Sequence, residues 1–181
     1  MARHHLLVIS GSLRKEATNR KLMHEAARHF DPARLTVADL RLPLYDGDLE
    51  EAEGIPPEVQ TLADQIAAAD AVAISCPEYN KGPSGVMKNA LDWVSRTESN
   101  PWAGKPVAVM SAAGGRAGGE RSQMILRSLL VPFQSRLLSG PELHVADSRT
   151  QFDDRGRLTS DRYTKTLVTL MDKLRAEVER G

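Results

Sequence analysis

One cysteine in 181 residues leaves no partner for an internal disulfide, and a lone thiol cannot build a cysteine-rich metal centre. The five histidines show no H-E-x-x-H or comparable ligand spacing, so no metal site is expected. Charge of one sign is lacking as well. The 24 Lys and Arg balance 24 Asp and Glu, and a net charge of zero provides no strong basic field for nucleic acid. No apolar run nears the ~20 residues of a membrane span. The opening Met-Ala-Arg-His-His is polar where a signal peptide needs an apolar core. The expectation is a cytoplasmic protein that engages neither nucleic acid nor membrane. A chain this long buries roughly 70% of its unfolded surface, enough for a single domain over 1–181 without a staple.

What is present is a regular alternation. Residues 5–10 (HLLVIS), 71–76 (AVAISC) and 106–112 (PVAVMSA) are short, near-continuous apolar runs, the pattern of strands buried on both faces. A further strand is expected over 34–40, and a weaker one over 135–145, interrupted by Gly140-Pro141. Helices are expected over 18–30, from Pro56-Pro57 to about 69, over 84–96, over 119–130 and over 159–179. Five strand-then-helix units specify a parallel sheet covered on both faces. Charge is uneven along the chain. Residues 1–30 carry six basic and two acidic groups, and residues 31–64 two basic and nine acidic. The acidic stretch around 46–58 reads as a solvated loop.

The loop after the first strand is GSLRKEATN, residues 11–19. Ser12 and Thr18 offer hydroxyls, Asn19 an amide and Arg14 a guanidinium, beside the backbone N–H groups that open the next helix. A phosphate monoester needs such donors, and Gly11 lets the chain pass close to it. The loop is neither G-x-G-x-x-G nor G-x-x-x-x-G-K-[ST]. From its residues alone it is either a phosphate cradle or an ordinary capped turn. The loop after the third strand begins CPEYNKGPSG, residues 76–85. Pro77 fixes the backbone, Tyr79 adds an aromatic face and Glu78 and Asn80 add polar groups. It is suited to run along a planar heterocycle, and equally to lie on the surface. SAAGGRAGGE, residues 111–120, has Glu120 where a phosphate loop needs lysine, which excludes that chemistry. Cys76, at a strand end with no base beside it, reads as a small buried hydrophobe.

Taken together, GSLRKEATN, PEYN with SGVMKNALDW, and SAAGG resemble the NADPH-dependent FMN reductase family over about residues 6–138. The resemblance implies an α/β, flavodoxin-like three-layer sandwich: a five-stranded parallel sheet of order 2-1-3-4-5 with helices on both faces. It implies FMN as cofactor and NADPH or NADH as co-substrate. Ser12, Arg14, Thr18 and Asn19 would hold the FMN phosphate. Pro77, Glu78, Tyr79 and Asn80 would line the isoalloxazine, with Ser111 and Gly114 at its other edge. The chain reads Lys81-Gly82-Pro83-Ser84-Gly85 where relatives read x-S-I/V-P-G. The backbone course therefore carries over there, and the side-chain roles of 81–84 do not.

The activity implied is ping-pong hydride transfer from NAD(P)H to a small acceptor: a quinone, a free flavin, an azo compound or an oxyanion. The cofactor carries that chemistry, so no catalytic side chain is expected. A homodimer or homotetramer is implied too, with Arg121 and Glu142 as candidates for an ion pair between subunits. The alternative is a flavodoxin-type electron carrier with no NAD(P)H activity of its own. Arg14 in the loop, the zero net charge and only three Tyr, two Trp and three Phe all favour the reductase.

Overall fold

The computed structural model describes residues 4–181. Three strands with almost no exposed residue form the centre: β1 (His5–Ser10), β3 (Ala71–Ser75) and β6 (Pro106–Ala112). They pair in parallel as β1–β3–β6, and β2 (Arg34–Val37) adds to the free side of β1. The last lane is shared. β7 (Arg136–Leu137) pairs with the start of β6 and β8 (Leu143–Val145) with its end, both in parallel. The expected order 2-1-3-4-5 and the flavodoxin-like fold are therefore present, with six strand segments in five lanes. The expected strand over 135–145 is split because Pro141, between the halves, has no N–H to give to the ladder. The second strand also stops early, at Val37 rather than residue 40.

Alternating strand residues face opposite layers. Leu6 and Val8 pack with Leu22, Ala26 and Phe30 of α1 (Thr18–Phe30) and with Leu167, Leu170 and Leu174 of α6 (Asp161–Glu179). Leu7 and Ile9 join Ile66 of α3 (Pro57–Ala68), Met87 and Leu91 of α4 (Gly85–Val94) and Leu126 of α5 (Glu120–Leu130). Burying each of the larger of these side chains stabilises the fold by about 1.5–3 kcal/mol.

The acidic loop expected around 46–58 contains a helix instead, α2 (Gly47–Glu53). Asp46 caps it, its Oδ1 accepting the Asp48 N–H at 3.0 Å, and Asp48 and Glu50 suit the positive end of the helix. No residue of α2 is buried, so no apolar period announced it. Among the described residues no helix is long and apolar enough to cross a membrane.

Candidate active site

The strand order reverses between β1 and β3, and in open parallel sheets ligands bind beyond the carboxyl ends of the strands at such a switch. The loops after β1, β3 and β6 meet there. Gly11 is what allows it: a Cβ would lie 2.8 Å from Cys76 Sγ and 3.0 Å from Pro77 Cδ. The Ser84 hydroxyl donates to the Gly11 carbonyl at 2.6 Å, which gives the 81–84 segment a locking role.

The amino end of α1 is built without a cap. Ala17 stands in the capping position, no acidic residue lies in the first turn, and the Thr18 and Asn19 amides have no acceptor among the described residues. Replacing a capping side chain by alanine ordinarily costs a helix about 1 kcal/mol, so this end suits an external anion. Ser12 bonds to Ser10 Oγ only through its backbone, at 3.2 Å each way, leaving its own hydroxyl without a protein partner among the described residues. Arg14 is exposed and forms no ion pair among the described residues.

These groups border a cavity of about 410 Å³, within the range of small-molecule sites. Eight of the ten expected residues line it: Ser12, Arg14, Thr18, Asn19, Pro77, Glu78, Tyr79 and Gly114. Tyr79 is 49% exposed, an uncovered aromatic face at the rim. In a groove of about 430 Å³ at the opposite end of the sheet, Arg136 and Arg180 are both paired with Glu177.

Several of the ten side chains do something other than face a ligand openly. Asn19 is buried. Its Oδ1 accepts from Ser75 Oγ (2.9 Å) and the Ala112 N–H (3.0 Å), and its Nδ2 donates to the Ala112 carbonyl (2.7 Å). It thereby pins α1 to the ends of β3 and β6. Glu78 Oε2 accepts the Arg121 and Ser122 amides at 3.2 and 3.4 Å, so it caps α5, while Ser122 Oγ donates to the Pro77 carbonyl at 2.9 Å.

Asn80 does not line the cavity. With Lys81 it forms the tip of a hairpin between β4 (Glu78–Tyr79) and β5 (Gly82–Pro83), both tip residues having positive φ (50° and 72°), as a two-residue turn of this hand requires. Ser111 lies beneath the glycine-rich loop rather than on the cavity wall. It donates to the Gly118 carbonyl (2.6 Å) and accepts from Gln123 Nε2 (2.9 Å). Gly119, with φ of 94°, folds over it so closely that a Cβ would meet Ser111 Oγ at 2.8 Å.

Ser148 and Arg149 also line the cavity and were not expected there. They follow β8, beyond the 6–138 stretch that carried the resemblance, and D-S-R-T has no pattern that marks a site. Ser148 Oγ lies 3.1 Å from Thr18 Oγ1. Cys76 is fully buried and burial pushes its thiol pKa up, which suits a packing residue and not a nucleophile.

Residues 5–149 match the model of a family described as NADPH-dependent FMN reductase. The chain belongs to the NADPH-dependent FMN reductase family. It is an NAD(P)H-dependent oxidoreductase that uses FMN, as the resemblance implied. The chain is 38% identical to an NAD(P)H-dependent FMN reductase of Pseudomonas aeruginosa, over 97% of this chain and 95% of that protein. It is 40% identical to a quinone reductase of Escherichia coli, over 76% of this chain and 74% of that protein. Among solved structures, FerB, a flavoenzyme NAD(P)H:(acceptor) oxidoreductase from Paracoccus denitrificans, superposes with a TM-score of 0.88. That comparison has 31% identity and covers 98% of both chains.

Proposed function

We propose that this member of the family is an FMN-dependent NAD(P)H reductase acting on quinones or free flavins, with the FMN bound in the cavity beyond β1 and β3. One observation carries the placement. The Thr18 and Asn19 amides and the Ser12 hydroxyl lack protein acceptors or partners among the described residues, and Arg14 lacks a counter-ion, all bordering one hollow. A phosphate monoester would satisfy all of them at once.

Bound FMN supplies the two-electron chemistry between the nicotinamide and the acceptor. The chain's own residues do the holding and aligning. Ser12, Arg14 and the amino end of α1 take the phosphate. The Pro77–Tyr79 backbone, fixed by the Ser122 hydroxyl and by Glu78 on α5, runs along the ring edge with Gly114 opposite. Asn80 and Ser111 act one step back, through the hairpin tip and the glycine-rich loop. An exposed rim carrying Tyr79 leaves the donor and the acceptor room to use the same place in turn. Azo compounds and oxyanions belong to the same acceptor reading. So do a cytoplasmic setting, where NAD(P)H is available, and a single domain over 1–181 assembled as a homodimer or homotetramer. For the assembly, Arg121 is exposed, whereas Glu142 already lies 3.9 Å from Arg127 of its own chain.

The test is an anaerobic absorbance titration of FMN-reconstituted protein with NADPH and then NADH, followed by a benzoquinone. Bleaching by a nucleotide and recovery with the quinone is the expected result. Bound flavin that neither nucleotide bleaches would overturn the reductase reading in favour of an electron carrier. Absence of flavin binding would overturn the site.

A further inference from the structure

We propose that Arg149 is a second phosphate-binding cation, paired in function with Arg14 around the 5′-phosphate of FMN. The inference rests on the cavity being the FMN site, and it adds a residue that the loop after β1 does not contain. Arg149 lines the same cavity as Arg14 but comes from a different part of the chain, the helical turn Ser148–Thr150 that follows β8.

That turn is fixed in place. Asp147 adopts a left-handed conformation (φ of 47°), and its N–H donates to the Gly115 carbonyl at 3.4 Å. The Ser148 N–H donates to the Ala113 carbonyl at 3.1 Å, and the buried Ser148 hydroxyl meets Thr18 Oγ1 at 3.1 Å. The last contact ties Arg149's turn to the first residue of α1, at the end of the cavity where the unpartnered amides lie. This argues for the cofactor's phosphate over the nicotinamide donor.

Charge supports the same assignment. A phosphate monoester carries close to −2 at neutral pH, and Arg14 alone supplies one positive charge. Glu16 also lines the cavity and opposes Arg14, while the carboxylate of Glu78 is occupied with the α5 amides. Arg149 has no ion-pair partner among the described residues, unlike Arg157 eight positions on, which is committed to Glu25 at 3.0 Å. Arg14 by itself is offset by Glu16, so Arg149 is the cation that leaves a positive charge free for the phosphate.

The experiment compares wild type, Arg14→Ala, Arg149→Ala and Arg149→Lys for FMN and for riboflavin, which lacks the phosphate, by flavin-fluorescence titration. KM for NADPH and NADH is measured on the same proteins. Arg149→Ala should weaken FMN binding tenfold or more, leave riboflavin binding unchanged, and be partly rescued by lysine. FMN affinity equal to wild type in Arg149→Ala, beside a loss in Arg14→Ala, would overturn the role of Arg149 and spare the site. A rise in KM for NADPH and not NADH, at unchanged FMN affinity, would overturn it by assigning Arg149 to the donor's 2′-phosphate. Equal losses for FMN and riboflavin would overturn it as a packing effect. Wild type that binds neither flavin would remove the underlying site as well.

Discussion

Two groups of arginines lie beside helix α1, one at its middle and one at its amino end, and each includes residues from the segment after β8. Midway along the helix, the buried Glu25 carboxylate accepts from Arg28 Nε and Nη2 (2.9 and 3.1 Å), Arg157 Nη1 (3.0 Å) and the Leu158 N–H (3.2 Å). At the amino end, Arg14 and Arg149 border a cavity with amides and a hydroxyl that the chain leaves without acceptors or partners among the described residues. The two clusters draw on similar residue types. One closes its charges within the chain, and the other stays open, as the proposed phosphate site requires. Polar satisfaction, and not the count of arginines, separates a brace from a binding site.

The largest break in this comparison is expected from Gly11→Ala. Its Cβ would press on Cys76 Sγ and Pro77 Cδ, where the chain has no slack. Overpacking of this kind should cost about 2–3 kcal/mol, seen as a lower midpoint in urea, and should loosen FMN. A variant as stable as wild type would mean that the loops after β1 and β3 are not held together at this contact.

Glu25→Gln addresses the closed cluster and should cost about 1–2 kcal/mol with FMN affinity unchanged. Burial pushes the Glu25 carboxyl pKa up, but hydrogen bonds from Arg28, Arg157 and the Leu158 amide outweigh it and hold the pKa below the ordinary value. Its contribution is therefore complete above the unfolded glutamate pKa of ~4.3 and is lost as pH falls through the lowered folded value. Acid unfolding of Glu25→Gln should accordingly be shallower than that of wild type over that interval. Identical acid limbs would show that the cluster contributes nothing to acid stability.

Ala17→Asp converts the open end towards a closed one by adding the missing cap. It should stabilise the FMN-free protein by about 1 kcal/mol and weaken FMN binding, two effects of opposite sign. Thermal melts with and without FMN measure both. If FMN binding is unchanged, the phosphate does not sit at the end of α1.

Much of this was legible in the residues. The apolar runs at 5–10, 71–76 and 106–112 became β1, β3 and β6, and the helical periods became α1 and α3 to α6. Their interiors repeat a pattern that burial on two faces imposes. Local signals failed where no burial accompanied the element, as in α2, or where the element was too short for a period, as in the β4–β5 hairpin. Ser12, Arg14 and Thr18, singled out because glycine, hydroxyl and cation sit together in one loop, all border the cavity. Asn19 was expected to face the phosphate, yet its side chain turns inward to Ser75 and Ala112.

By itself, the sequence determined the order of strands and helices, a parallel sheet covered on both faces and an anion-suited loop after the first strand. These follow from spacing between near neighbours along the chain. Tertiary structure alone decided which polar groups were left open. Asn19 is closed by partners 56 and 93 residues away, Glu25 by partners up to 133 away, and Arg149 reaches the cavity because Ser148 meets Thr18 across 130 residues. A hydrogen bond is satisfied by whatever the fold brings within reach, and no local spacing records that.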